Sequence, residues 1–134
     1  MKYILFFTSL FFFINSKAQT DTTIYGYIDS VTVKNVQIPP KFSGGDGNWK
    51  MYLNKYLKYP KDAKQQKIEG TVMVEFVVEK DGSLSNITIV HSVYPSLDEE
   101  AVRLIQHSMW TPAVQNGGNA RYRKRQPIEF RLLN

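Results

Sequence analysis

The sharpest alternation of apolar and polar positions in this chain is Thr71-Val72-Met73-Val74-Glu75-Phe76-Val77-Val78. Val72, Val74, Phe76 and Val78 share one face and Glu75 and Glu79 take the other, as a half-buried strand requires. Asp81-Gly82 follows, a dipeptide favoured in tight type I′ hairpin turns, and Leu84 to Val90 returns as the antiparallel partner. The alternation slips between Leu84 and Ile87, which predicts a bulge near Ser85-Asn86.

Elsewhere the period changes from two to 3.6. Trp49, Tyr52, Leu53, Tyr56 and Leu57 recur at i, i+3, i+4, i+7 and i+8, placing five large apolar groups on one helical face. The turn Gly44-Gly45-Asp46-Gly47 precedes this helix, Asp46 or Asn48 is positioned to cap it, and Tyr59-Pro60 ends it. A short helix is expected from Lys61 to Gln66. Ser96 followed by Glu99 reads as a capping box opening a second main helix, with Leu97, Ala101, Leu104 and Ile105 turned inward. That helix stops before Trp110-Thr111-Pro112, and Trp110 is expected in the core where it meets the last strand. The segment Gln115 to Asn119 reads as a loop into a final strand, Arg121 to Leu132, in which Ile128, Phe130 and Leu132 alternate. Before Pro39-Pro40, Ile24 to Ile28, Val31 to Val33 and Val36 to Ile38 suggest one or two short strands. The order implies an α+β domain: a three-stranded antiparallel sheet with two helices packed on one face and the last strand at an edge.

The first eighteen residues follow a different pattern. Lys2, the nearly unbroken apolar run Tyr3 to Ile14 and the small-residue site Ser16-Lys17-Ala18 have the order of a secretory signal peptide, and the run is short for a spanning helix. The expected organisation is a signal peptide at 1–18, an extension with short strands at 19–38 and one domain at 39–134. The mature chain would begin at Gln19 in the periplasm; retention of the leader would instead anchor it in the inner membrane, facing the periplasm. With no cysteine, neither disulfides nor thiolate chemistry nor a lipoprotein anchor is available. Cleavage removes Lys2 and Lys17, so the formal charge falls from +5 to about +3. That excess is too small and too scattered for a nucleic-acid footprint.

Candidate chemistry is sparse. His91 and His107 have no further ligands at metal spacing, so no metal or other cofactor is expected. Asp98, Glu99 and Glu100 suit the first turn of a helix better than acid–base work. No serine sits in a nucleophile elbow, and the glycine-rich turn lacks the strand and Lys-Ser/Thr ending of a phosphate loop. Nothing points to an enzyme or a small-molecule substrate. The dense basic run Arg121-Tyr122-Arg123-Lys124-Arg125 lies on the expected edge strand, where charge either guards the edge from other chains or attracts an acidic extended peptide to it. Pro127 suits an edge under either reading.

Tyr59-Pro60, Ala63, Ile68-Glu69-Gly70, the strand ending at Phe76, Asp81-Gly82, Leu97-Asp98 with Glu100-Ala101, Trp110 with Pro112, and Pro127-Ile128 with Phe130 occur together in order. The set resembles the TonB C-terminal domain family over roughly residues 39–133, and Phe42-Ser43-Gly44-Gly45 with its helix resembles the extension of Bacteroidetes-like versions. The resemblance implies a periplasmic binding module in TonB-dependent transport. Its partner would be a TonB-dependent outer-membrane receptor, whose TonB box adds as a strand, or another envelope protein. The implied peptide-binding residues are Tyr59, Pro60, Arg121, Arg123, Arg125, Gln126, Ile128, Glu129, Phe130 and Arg131. Alternatives are a short membrane-anchored energy transducer and a structural homodimer. The leader lacks the polar-histidine anchor of motor-coupled relatives, and the twenty or so residues before Pro39 reach only on the order of 70 Å at full extension.

Overall fold

The computed structural model describes residues 26–27 and 36–133; the leader lies outside the described residues, as does much of the stretch before Pro39. In chain order the elements are β1 (Gly26–Tyr27), β2 (Val36–Ile38), β3 (Lys41–Phe42), α1 (Asp46–Tyr56), α2 (Lys61–Gln65), β4 (Gly70–Val78) and β5 (Leu84–His91). They continue as α3 (Pro95–Gln106), β6 (Trp110–Thr111), β7 (Ala113–Gln115), β8 (Gly118–Ala120) and β9 (Tyr122–Phe130).

The main sheet runs β1-β9-β4-β5, antiparallel throughout. Its centre is the three-stranded β9-β4-β5 unit expected from the alternation. β4 and β9 pair without a slip from Gly70 opposite Phe130 to Val78 opposite Tyr122. This register puts Val72, Val74, Phe76 and Val78 on the same face as Ile128 and Phe130. The helices cover that face: Trp49, Ala63, Leu97, Ala101, Leu104 and Ile105 complete the core. α2 adds a short third helix to the two main ones. β2-β7-β8 and β3-β6 form two small ladders beside the main sheet. Among the described residues no helix is long and apolar enough to cross a membrane.

Local signals came out unevenly. The bulge expected near Ser85-Asn86 is present: the β4–β5 register shifts between Glu75 and Val77, and Asn86 has φ 49°. The Asp81-Gly82 turn differs from expectation, because only Gly82 takes positive φ, at 85°. Gly82 N–H donates to Glu79 O at 2.9 Å and Glu79 N–H to Ser83 O at 2.8 Å, closing a three-residue loop with a glycine bulge. Gly82 is also required by proximity, since a Cβ there would lie 2.7 Å from the Trp110 carbonyl oxygen. The expected loop from Gln115 to Asn119 is instead the tip of the β7–β8 hairpin, with Asn116 at φ 49° and Gly117 at φ 79°, both left-handed as a type I′ turn requires.

The expected helix caps are corrected as well. Gly45 occupies the N-cap of α1 with no side-chain cap, and Asn48 Nδ2 donates to Ser43 O at 3.3 Å instead. Asp46 remains in the first turn, where its charge faces the helix dipole. α3 begins two residues earlier than the capping-box reading, because Pro95 has a φ pre-set for the first helical position and so moves the N-cap from Ser96 to Tyr94. The Ser96 hydroxyl is buried without a partner. Asp98 does the tying: it accepts hydrogen bonds from the Ser92 hydroxyl and from Val93 N–H.

Trp110 is 6% exposed and joins the layers. Its ring lies 5.8 Å from Phe42, 5.9 Å from Trp49 and 5.1 Å from Phe76, and its Nε1–H donates to Ser108 Oγ at 2.8 Å. Lys124 Nζ from β9 sits 5.4 Å from the ring centroid. Truncation removes contacts to β3, α1, β4 and β9 at once. Trp110→Ala is therefore expected to cost about 3–5 kcal/mol in urea unfolding, and a loss under about 1 kcal/mol would contradict this packing.

Candidate peptide-binding edge

The main sheet offers two outer strands, and they differ as templates. β5 is interrupted by register shifts at Met73/Val74 and Glu75/Val77 and by the left-handed Asn86, so its outward row of amides and carbonyls is irregular. β9 is regular along its whole pairing with β4. The sequence reading left its outer side entirely free, and this is corrected: β1 pairs there, with Gly26 opposite Lys124 and Tyr27 opposite Arg123. From Arg125 to Phe130 no strand pairs with the outer side among the described residues. Six residues at roughly 3.4 Å each give about 20 Å of open ladder. Pro127 falls within it, a position where proline is tolerated because the strand is not enclosed on both sides.

Side chains along β9 alternate between two surroundings. Ile128 and Phe130 are buried toward the helices, Tyr122 is buried with Ala113 and Ala120 of the β7–β8 hairpin, and Lys124 is held against Trp110, where burial pulls its ammonium below the usual lysine range while Asp46 opposes the shift. Ile128 and Phe130 are 0% exposed, so they offer a ligand main-chain groups and no side chain. On the other face the basic run meets carboxylates. Arg121 Nε lies 3.1 and 3.0 Å from the two oxygens of Glu79, Arg125 Nε lies 2.8 Å from Glu75 Oε2, and Arg131 pairs with Glu129. Glu75 faces Arg125 in the β4–β9 register and Glu79, just past β4, holds Arg121, so part of the positive charge read from the sequence is balanced one strand away. Gln126 is half-buried.

Tyr59 and Pro60, distant in sequence, are brought to the Phe130 end of this edge. The Tyr59 ring stands edge-on to Phe130 at 5.8 Å and 89°, and its hydroxyl donates to Ile68 O. Burial pushes the Tyr59 hydroxyl pKa up, with Glu69 adding to the shift. Pro60 is the N-cap of α2. Glu69 Oε1 accepts from Leu132 N–H at 2.6 Å, fastening the chain just past β9.

One concave feature escaped the sequence reading. Phe42, Tyr52, Tyr56, Arg103, His107 and Met109 line a cleft of about 530 Å³ between α1 and the end of α3. Arg103 is occupied there: it grips Glu100 at 2.6 and 2.7 Å and donates to Tyr56 O at 2.9 Å. Glu100 also accepts Lys58 N–H at 2.8 Å, so this ion pair fastens the end of α1 to α3. His91 and His107 are exposed, and no group of three potential metal ligands occurs among the described residues.

The arrangement defines a small α+β domain whose most regular outer strand is covered by its own chain at Arg123 and Lys124 and, among the described residues, open from Arg125 to Phe130. The family described as Gram-negative bacterial TonB protein C-terminal matches residues 55–132, more than half of the chain, and the chain belongs to that family. It is similar to the solution structure of the Helicobacter pylori TonB C-terminal domain, at 23% identity and TM-score 0.49, over 63% of this chain and 78% of that one. It is also similar to the Pseudomonas aeruginosa TonB C-terminal domain, at 26% identity and TM-score 0.49, over 57% and 79% of the respective chains. No curated protein matches the chain.

The cross-strand pairs make stability pH-dependent. The Ser85 hydroxyl, hydrogen-bonded to Glu79, and then Arg121 hold the Glu79 carboxyl below its ordinary 4.5, against the effect of burial. A carboxyl depressed in the folded state contributes stability that is fully present above 4.5 and is lost as pH falls through the folded value. Glu79→Gln should thus lower the urea midpoint at pH 7 and have a smaller effect at pH 2–3. An equal loss at both pH values would contradict the assignment.

Proposed function

We propose that this protein is a periplasmic binding module of TonB-dependent transport. It takes up an extended peptide, the TonB box of an outer-membrane receptor or a comparable segment of another envelope protein, along Arg125–Phe130 of β9. The observation that carries this reading is the contrast between the two outer strands: β9 presents a regular open row beside Tyr59, whereas β5 is bulged twice. Strand addition supplies affinity through main-chain hydrogen bonds, each worth about 0.5–1.5 kcal/mol net. That suits an edge whose apolar side chains are buried and whose Arg125 is matched by Glu75.

Membership of the family and the export-type leader support a periplasmic location. A leader kept as an anchor would make the chain a short energy transducer with the same edge, and a homodimer would pair two such edges with each other.

Titrating isotope-labelled protein with a TonB-box peptide should move backbone amides at 125–130 and near Tyr59. Proline at Arg125 or at Glu129, whose amides share the outward side with Pro127 in the unslipped register, should weaken binding at least about tenfold by removing a ladder donor. Arg123→Ala should act mainly at low salt, where residual steering by charge is unscreened. Shifts confined to Val72–Val78 or to the helices would contradict the edge assignment, and absence of binding with dimeric sedimentation would favour the homodimer.

A further inference from the structure

α1 lies beside the strand on which the proposed function depends, and both of its ends are fixed there. Its first turn and β9 share the Trp110 ring, with the Trp49 ring centroid at 5.9 Å and Lys124 Nζ at 5.4 Å. Just past its other end, Tyr59 stands against Phe130 at 5.8 Å. α1 therefore follows β9 in the same chain direction. At about 1.5 Å per helical residue and 3.4 Å per strand residue, Leu53 falls near the level of Gln126 and Leu57 near that of Ile128. The two flanks of the helix differ. Tyr52 and Tyr56 turn toward α3: the Tyr52 hydroxyl donates to Leu104 O at 2.8 Å, and both rings line the cleft with Arg103 and His107. α3 itself covers β4 and β5. At about 100° per residue, Asp46, Lys50, Leu53 and Leu57 share the opposite flank, on the β9 side. Asp46 bears this placement out, since burial lowers the Lys124 pKa and Asp46 opposes that shift. Asp46 and Lys50 are exposed, and Leu53 and Leu57 are half-buried.

We propose that α1 is the wall of the β9 edge that reads side chains: Lys50 takes an acidic side chain of the added peptide, and Leu53 with Leu57 takes an aliphatic one nearer the Phe130 end. This rests on the reading of Arg125–Phe130 as the peptide site and adds its selectivity. In a strand added there, in either direction, the residues opposite Gln126, Ile128 and Phe130 turn to the helix side, under this flank of α1. The main-chain ladder accepts almost any extended segment. β9 offers the incoming side chains little on this face, because Ile128 and Phe130 are fully buried, so discrimination falls to α1. Lys50 and Leu53 precede the stretch 55–132 that matches the family, so the preference they set belongs to this chain rather than to the shared domain.

The test uses the full chain and a TonB-box peptide, with variants of the peptide carrying Glu or Lys at each position in turn. One position should prefer Glu over Lys by at least about threefold, the scale of an exposed ion pair gained and a like-charge contact avoided. Lys50→Glu should reverse the preference at that position. Lys55→Glu makes the same change of net charge and should not reverse it, because Lys55 lies on the other flank, with Nζ 5.0 Å from the Tyr56 ring centroid. Both lysines are exposed, so neither substitution disturbs the core. Serine in place of an aliphatic peptide residue two or four positions from the acidic one should weaken binding at least about threefold. Equal effects of Lys50→Glu and Lys55→Glu across the panel, or no response to serine at those positions, with amide shifts still at 125–130, would overturn the wall and leave the peptide site standing. No shift at 125–130 with any of the peptides would remove the peptide site and this inference with it.

Discussion

The uninterrupted pairing of β4 with β9 is the constraint on which the rest of the molecule depends. It joins a hairpin strand to one more than forty residues further along the chain, and it does so without a slip over nine positions. Because side chains alternate across a strand, a shift of one residue would turn Ile128 and Phe130 out to solvent and bring Arg125 and Glu129 into the core. The burial of Val72, Val74, Phe76 and Val78 under α3 and Trp110 holds that register in place. The same register sets Phe130 under Tyr59, Lys124 against Trp110 and Arg125 opposite Glu75.

This pairing also decides what kind of site β9 can be. Its inner row of hydrogen bonds is spent on β4, its apolar side chains are spent on the core, and Arg125, together with Arg121 just before the strand, is matched with glutamates of β4 and of the turn that follows it. What remains is an outer row of main-chain groups, partly taken by β1. An edge of this kind recognises extended backbone first and side chains second. Specificity then has to come from what flanks the ladder, with Tyr59 and Pro60 at one end and the chain's own β1 at the other.

Much of the fold was legible because its strongest elements announce themselves through local periodicity. The period-two run at Thr71–Val78, the helical spacing of Trp49, Tyr52 and Leu53, and the slip near Ser85-Asn86 each left a mark in adjacent residues. The errors arose where a single residue or a distant partner decided the outcome. Pro95 outranked Ser96 in starting α3, and Gly82 alone supplied the left-handed residue expected of the Asp81-Gly82 pair. The β7–β8 hairpin was within reach, since Asn116-Gly117 is itself a hairpin dipeptide, but Ala113-Val114-Gln115 and Gly118-Asn119-Ala120 are too short to show alternation. Of the site, the identity of the edge strand and the proximity of Tyr59 were expected from family resemblance. The pairing of Arg121 with Glu79 and of Arg125 with Glu75, the burial of Ile128 and Phe130, and the position of β1 all require the long-range register, which composition does not encode.

The most direct test of the account is the solution structure of the mature chain bound to a TonB-box peptide, determined from intermolecular contacts. The account predicts the peptide as a strand alongside Arg125–Phe130, with contacts to Tyr59. A peptide lying along β5 or seated in the cleft between α1 and α3 would contradict it.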